Sequence, residues 1–323
     1  MLRYLARRIV LLIVMLWLVS LLTFSIFFLL PSGDPAQRFV GRDSTPETIA
    51  QVKQSLGLDE PFYEQYLKFA KGIVPVPGWF LDEKVYFSYN TSVPVREQIA
   101  ERFPVTAVLV IGAAVLWVGV SLLIGLLSAV RPGGRFDRCT QWLGLLFVSV
   151  PTFVTGYLLL YFLWFKAGIA PGTGIPSDES VWTAFLNGRF VLPWICLSLF
   201  FIALYARTTR RNVLEMLRAD STRTARSQGL PERVVVGKHA LRGALVPLVT
   251  MFGLDFGALL GGTVTIETVF NLPGLGQYTF NAVIDADIPA VMGTAVFTSA
   301  IALVTVLIVD VLYAYLDPRI RVT

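Results

Sequence analysis

The sequence predicts an all-α protein that crosses a membrane about six times. Three observations carry this. Of 323 residues, 55% are hydrophobic and only 15% charged, and the mean hydropathy is +0.66; a water-soluble domain needs more polar surface than that. Long apolar runs recur at 9–30, 105–130, 142–165, 190–206, 245–270 and 290–316, each about the length that a hydrocarbon core of roughly 30 Å requires of a helix. The basic residues behind the net charge of +5 sit at the ends of these runs, as they do in membrane proteins. A nucleic-acid binder would gather them on a soluble surface, so nucleic acid is not expected as a partner.

Residues 1–30 are expected to form an N-terminal transmembrane helix. Arg3, Arg7 and Arg8 precede an apolar run of about 33 Å. A signal peptide is the competing reading, but the run is too long for a signal core and no small-x-small site ends it before Pro31. A retained span with a cytoplasmic N-terminus follows.

Residues 31–103 are of different composition, with acids, bases and aromatics mixed, and are expected to form an ordered external segment. Thr45-Pro46-Glu47 looks like a helix start, and Ile49, Val52 and Leu56 give an amphipathic stripe. A passive cap and a surface for a substrate-delivering protein are both open readings. Residues 104–323 are expected to hold a core of five helices. Arg131, Arg135 and Arg138 separate its first two spans, and Arg319 and Arg321 follow the last. The segments near 167–189 and 271–289 are poor in bases. Both termini and the basic clusters therefore fall on the cytoplasmic side.

The stretch that organises the core lies at 207–243, between the runs at 190–206 and 245–270. At its centre it reads Asp220-Ser-Thr-Arg-Thr-Ala-Arg-Ser-Gln-Gly229-Leu-Pro-Glu-Arg233, and the whole of 207–243 carries nine Arg and Lys against Glu215, Asp220 and Glu232. Asp220 is a plausible N-cap of a short helix. Gly229 fits the left-handed position after a helix end. Pro231 suits the first turn of a second helix, with Glu232 at its positive end. An ordinary loop obeying the positive-inside rule is the plainer reading. A basic helix–Gly–helix elbow is also a docking surface.

The order of residues is more specific than their charge. Asp220, Arg223-Thr-Ala-Arg226, Gly229-Leu, His239-Ala-Leu-Arg242 and Leu245 through Pro247 to Thr250 resemble the EAA loop of ABC importer permeases, in its dipeptide/oligopeptide (DppB/OppB) form. Ser221, Thr222 and Gln228 depart from that pattern. Gly-Asp-Pro at 33–35, Leu56-Gly-Leu-Asp-Glu-Pro61, Gln65-Tyr66, Glu267-Thr-Val-Phe270-Asn-Leu-Pro273-Gly-Leu-Gly276 and Tyr315-Leu-Asp-Pro-Arg319 are similar to further signatures of the same family. The resemblance implies that the elbow couples to an ATPase subunit through Asp220, Arg223, Thr224, Ala225, Arg226 and Gly229. It further implies a second homologous permease subunit, two ATPase subunits that bind ATP and Mg, an external substrate-binding protein, and the plasma (inner) membrane of a prokaryote. Peptides are the expected substrate; related permeases carry nickel, glutathione or sugars.

The chain carries no phosphate-cradling G-x-x-x-x-G-K-[ST] loop and no G-x-S-x-G elbow, so neither ATP hydrolysis nor an intramembrane hydrolase is expected of it. Cys139, Cys196 and the single His239 offer no metal-ligand spacing, and no cofactor is expected in this chain. Carboxylates inside spans are expensive and mark candidate sites. Asp255 and Glu267 are the candidate pathway residues, and Asp310 lies near a span end. Asp255 either faces a water-filled pathway and attracts a substrate amino group or is a packing carboxylate bonded to a neighbouring helix. A secondary transporter using Asp255 or Glu267 as an ion site is the competing class, and it would have no use for the elbow. Gly253-x-x-x-Gly257-x-x-x-Gly261 aligns small residues on one helix face, for packing within the bundle or against a second permease.

Overall fold

Each long apolar run forms helix, because inside a bilayer every backbone N–H and C=O must be satisfied by its own segment. The computed structural model describes residues 2–28, 36, 45–56, 59–73, 86–88 and 90–316. In order these give α1 (Leu2–Phe28), α2 (Pro46–Leu56), α3 (Phe62–Lys71), a two-residue antiparallel pair β1 (Phe87–Ser88) and β2 (Val93–Pro94), α4 (Val95–Val130), α5 (Arg135–Ser149) and α6 (Thr152–Leu159). The chain continues through a π-helical stretch, Leu160–Lys166, to α7 (Val181–Leu186), α8 (Val191–Arg218) and α9 (Asp220–Ser227). Then come α10 (Glu232–Val234), a second π-helical stretch Val235–Ala240, α11 (Leu241–Gly262), α12 (Val264–Val269), α13 (Leu275–Ile284) and α14 (Ile288–Leu316).

Among the described residues, five helices are long and apolar enough to cross a membrane, and a sixth crossing requires α5 and the helix after it to act together. That pair is where the structure departs from a straight reading of the run at 142–165. Its two halves are bent by 106°. Val150 is extended (φ −90°, ψ 127°) and Pro151 follows. A proline ring disfavours helical backbone in the residue before it, so the helix ends there and restarts. The run at 245–270 is likewise interrupted, with α11 ending at Gly262 and α12 starting at Val264. The GDP motif at 33–35 and the C-terminal Tyr-Leu-Asp-Pro-Arg signature fall wholly or partly outside the described residues, as do the side chains of Val52 and Leu56.

The chain divides into two units. The first comprises Met1–Thr106, Leu260–Val264 and Pro273–Leu307. The expected helix start at Pro46 is the first residue of α2. In this unit Phe24 of α1, Phe69 of α3, Tyr86, Ile99 of α4, Leu275 of α13 and Met292 of α14 share one core. Phe24 sits 5.3 Å from Phe69, and Phe69 5.7 Å from Tyr86, ring centre to ring centre. Each fully buried ring of this kind contributes roughly 2 kcal/mol of burial. Ser20 on α1 and Tyr66 on α3 share a hydrogen bond of 2.9 Å. The β pair is pinned to the turn before α14, where Asp287 accepts from the Ser88 hydroxyl and from the Ala290 N–H. Burial holds the Asp287 carboxyl above the usual carboxylate range.

The second unit comprises Ala107–Leu259, Thr265–Leu272 and Ile308–Thr323. Here α8 is central, packing on α5 and α6 and tied to α4 by side chains that reach its backbone. Trp194 Nε1 donates to the Val108 carbonyl at 3.0 Å, and Ser198 Oγ to that of Ala113 at 3.0 Å. In α11 a Cβ on Gly253 would lie 2.3 Å from Val309 Cγ1. Its missing side chain is what lets the end of α14 touch α11, so at Gly253 the small-residue face packs within the chain.

Candidate functional site

The elbow grows from the end of α8. Thr209, Asn212 and Val213 are buried there, and Asn212 Nδ2 donates to the Ala244 carbonyl of α11 at 3.4 Å. The helix stops because Ala219 is extended (φ −66°, ψ 150°). The next helix, α9, starts at once. Thr222 Oγ1 reaches back to the Met216 carbonyl at 2.7 Å, a second bond to an acceptor that the Ala219 N–H already meets at 3.2 Å.

Asp220 was expected to cap α9 and does not. Ala219 occupies the cap position, without a side-chain bond, and Asp220 is the first helical residue. Its side chain is 99% exposed, so it contributes only a negative charge at the positive end of the helix. The reason is the extended residue falling one place earlier than the acid. Pro231 is displaced similarly. It is the residue before α10, not within its first turn, while Glu232 does open that helix.

Gly229 is where the expectation and the backbone coincide. Its φ is +77°. The N–H of Leu230 bonds to the Ala225 carbonyl at 3.4 Å and that of Gly229 to the Arg226 carbonyl at 2.9 Å. This pair of bonds is the Schellman ending, which needs left-handed backbone at the residue after the cap. A Cβ at Gly229 would have nothing within 4 Å; the demand is conformational, not steric crowding.

The elbow has two faces. Thr222 and Ala225 are buried and turn α9 towards the π-helical stretch, where Val235 and Ala240 are fully buried. Asp220, Arg223, Thr224, Arg226 and Gly229 are exposed, as are Arg218, Arg233, Lys238, His239 and Arg242. Arg226 is held: Nε and Nη2 donate to the two carboxylate oxygens of Glu232 at 3.1 and 2.6 Å, and Nη1 to the Leu217 carbonyl at 3.2 Å. It spans the ends of α8 and α10 across α9. Arg223 reaches outward, with Asp220 Oδ1 3.7 Å away. An exposed pair at that distance is weak, so Arg223 stays available to a partner.

A further ion pair was not anticipated. Arg210 on α8 grips Asp137 on α5 with two bonds, Nε to Oδ1 at 2.6 Å and Nη2 to Oδ2 at 2.8 Å, and the Gly133 N–H donates to Asp137 Oδ2 at 2.8 Å. Asp137 is 4% exposed. The available signal was one acid among the bases at 131–138.

The two pathway candidates differ in setting. Asp255 lies on α11, partly exposed, and accepts from the Tyr205 hydroxyl of α8 at 2.6 Å. Glu267 is fully buried in α12, where its carbonyl accepts from the Leu272 N–H at 2.8 Å. Among the described residues no three His, Cys, Asp or Glu side chains gather as metal ligands would.

Comparison with known proteins gives these features a context. Residues 121–322 match the family described as the inner membrane component of binding-protein-dependent transport systems, and residues 1–110 match the N-terminal region of the same membrane component. The dipeptide transport system permease protein DppB of Alkalihalophilus pseudofirmus is 34% identical over 99% of this chain and 100% of its own length. The glutathione transport system permease protein GsiC of Escherichia coli K12 is 36% identical over 99% of each. The chain thus belongs to the inner-membrane permease components of binding-protein-dependent transport systems, the family to which its elbow pointed.

Proposed function

We propose that this permease is one of a homologous pair forming the pathway of an ABC importer for peptides in the plasma (inner) membrane of a prokaryote. A binding protein delivers substrate from outside, and two cytoplasmic ATPase subunits hold ATP and Mg. ATP binding closes the ATPase pair, the elbow at 207–243 moves with it, and the spans re-open on the other side. The observation that carries this is the elbow's construction. It has a buried seam through Thr222 and Ala225, a Schellman ending at Gly229, and an exposed basic face that suits acidic groups on a partner. Asp220, Arg223, Thr224, Ala225, Arg226 and Gly229 are the proposed coupling residues. Both termini and the elbow are assigned to the cytoplasm, with residues 31–103 outside and the five-helix core in 104–323. Asp255 and Glu267 are the proposed pathway carboxylates; only Asp255 keeps some exposure.

The test is reconstitution of the permease with its co-encoded partners in proteoliposomes. Import of labelled di- and tripeptides should require ATP and the binding protein, and should stop without the ATPase subunits. Peptide import that persists without those subunits would overturn the importer reading.

A further inference from the structure

Near Asp255, the helices α4, α8 and α11 line a half-open cavity of about 170 Å³, walled by Val118, Ser121, Tyr205, Leu245, Val249 and Phe252, among others. Its walls are nearly all apolar. A cavity of roughly 150 Å³ with such walls accepts benzene, so this one has room for a leucyl or benzyl side chain. Two lining residues connect it to the carboxylate. The Tyr205 hydroxyl donates to Asp255 Oδ2 at 2.6 Å. Phe252 precedes Asp255 by three residues on α11 and shares its face, one turn earlier.

Tyr205 is a neutral donor, and among the described residues no Lys or Arg pairs with Asp255; a carboxylate without a cationic partner is costly in a span. The cation nearest Tyr205 in sequence, Arg207, lines a different pocket beside Thr140 and Gly144. The surroundings favour an organic cation. Trp117 stacks on Phe201 at 4.6 Å and lies 6.1 Å from Tyr205 and 5.6 Å from Phe252, and aromatic faces attract ammonium groups. A bare metal ion would need several more oxygen ligands than one carboxylate and two hydroxyls.

We propose that Asp255, Tyr205 and this cavity form a subsite for the first residue of the transported peptide, with its ammonium on Asp255 and an apolar side chain in the cavity. The assignment rests on the peptide reading above. It names the preferred cargo as peptides with a free amino terminus and a bulky apolar first residue.

The experiment compares uptake of Phe-Gly, Gly-Gly and N-acetyl-Phe-Gly by the reconstituted full complex. Val249→Phe, which fills the cavity, should lower Phe-Gly uptake about tenfold or more while changing Gly-Gly little. Asp255→Asn should shrink the preference for Phe-Gly over its N-acetyl form by roughly 10- to 100-fold, the worth of a charged hydrogen bond. Where Val249→Phe fails to assemble, Val249→Leu supplies a graded version of the same test. Equal losses for all three peptides, or no change, would make the cavity a packing void and overturn the subsite while leaving peptide transport standing. A wild-type complex that imports none of the peptides would instead remove the peptide reading, and the subsite with it.

Discussion

At the scale of single residues, Gly229 has the clearest consequence. Its φ of +77° costs a side-chain-bearing residue on the order of 1 kcal/mol, more for a β-branched one. No neighbour stands within 4 Å of a built Cβ, so a substitution would strain the turn without clashing. Gly229→Val should leave membrane insertion and assembly intact and lower peptide transport and substrate-stimulated ATP hydrolysis together, by roughly five- to tenfold. Gly229→Asn should retain most activity, because Asn tolerates left-handed backbone. Normal transport by Gly229→Val at normal expression would remove the turn from the mechanism. The left-handed turn was legible in the sequence, since glycine followed by Leu-Pro-Glu leaves few other backbones. The capping role of Asp220 was not. A cap depends on which residue turns extended, and the seam between α8 and α9 placed that at Ala219.

At the scale of elements, the Asp137–Arg210 pair fastens the start of α5 to α8, the helix that carries the elbow. It is two-pronged, and its carboxylate is buried. Breaking such a pair strands a charge and costs about 3–5 kcal/mol, whereas replacing both partners with apolar groups is often neutral. Arg210→Ala alone should sharply lower the thermal midpoint of the purified complex in detergent. The double variant Asp137→Leu with Arg210→Met should recover most of it. Equal losses in single and double variants would mean that the pair adds nothing beyond packing. The sequence could not reveal this link, because its partners are 73 positions apart and each also reads as an ordinary loop charge. The bend between α5 and α6 was half legible. Pro151 announces a break, but its angle of 106° depends on how both halves pack on α8.

At the scale of the whole molecule, the proposed orientation is testable by labelling. Exposed Cys139 must first become Cys139→Ser. An impermeant thiol reagent added outside intact cells should then modify Thr45→Cys and spare Ser227→Cys, which lies on the exposed face of α9. Labelling of Ser227→Cys and not Thr45→Cys would reverse the topology and detach the elbow from any cytoplasmic ATPase. The arrangement of basic clusters motivates the prediction, and the bent pair is what makes it informative. Five straight crossings would separate the two ends of the chain, whereas a sixth made by the pair would return them to one side.

What the sequence determined by itself is what depends on local and one-dimensional physics. Apolar runs of bilayer length become helices because their backbone has no other partner. A basic stretch broken by Gly229 becomes two helices joined by a left-handed turn, and the ordered motifs mark the family. Tertiary structure alone decided which polar groups meet. It brought Tyr205 to Asp255, Arg210 to Asp137 and Arg226 to Glu232, buried Glu267 while leaving Asp255 partly open, and left a cavity beside Tyr205. These outcomes depend on the rotation and separation of helices distant in the chain, which hydropathy leaves open because a lipid-facing turn and a packed one can carry the same apolar residues.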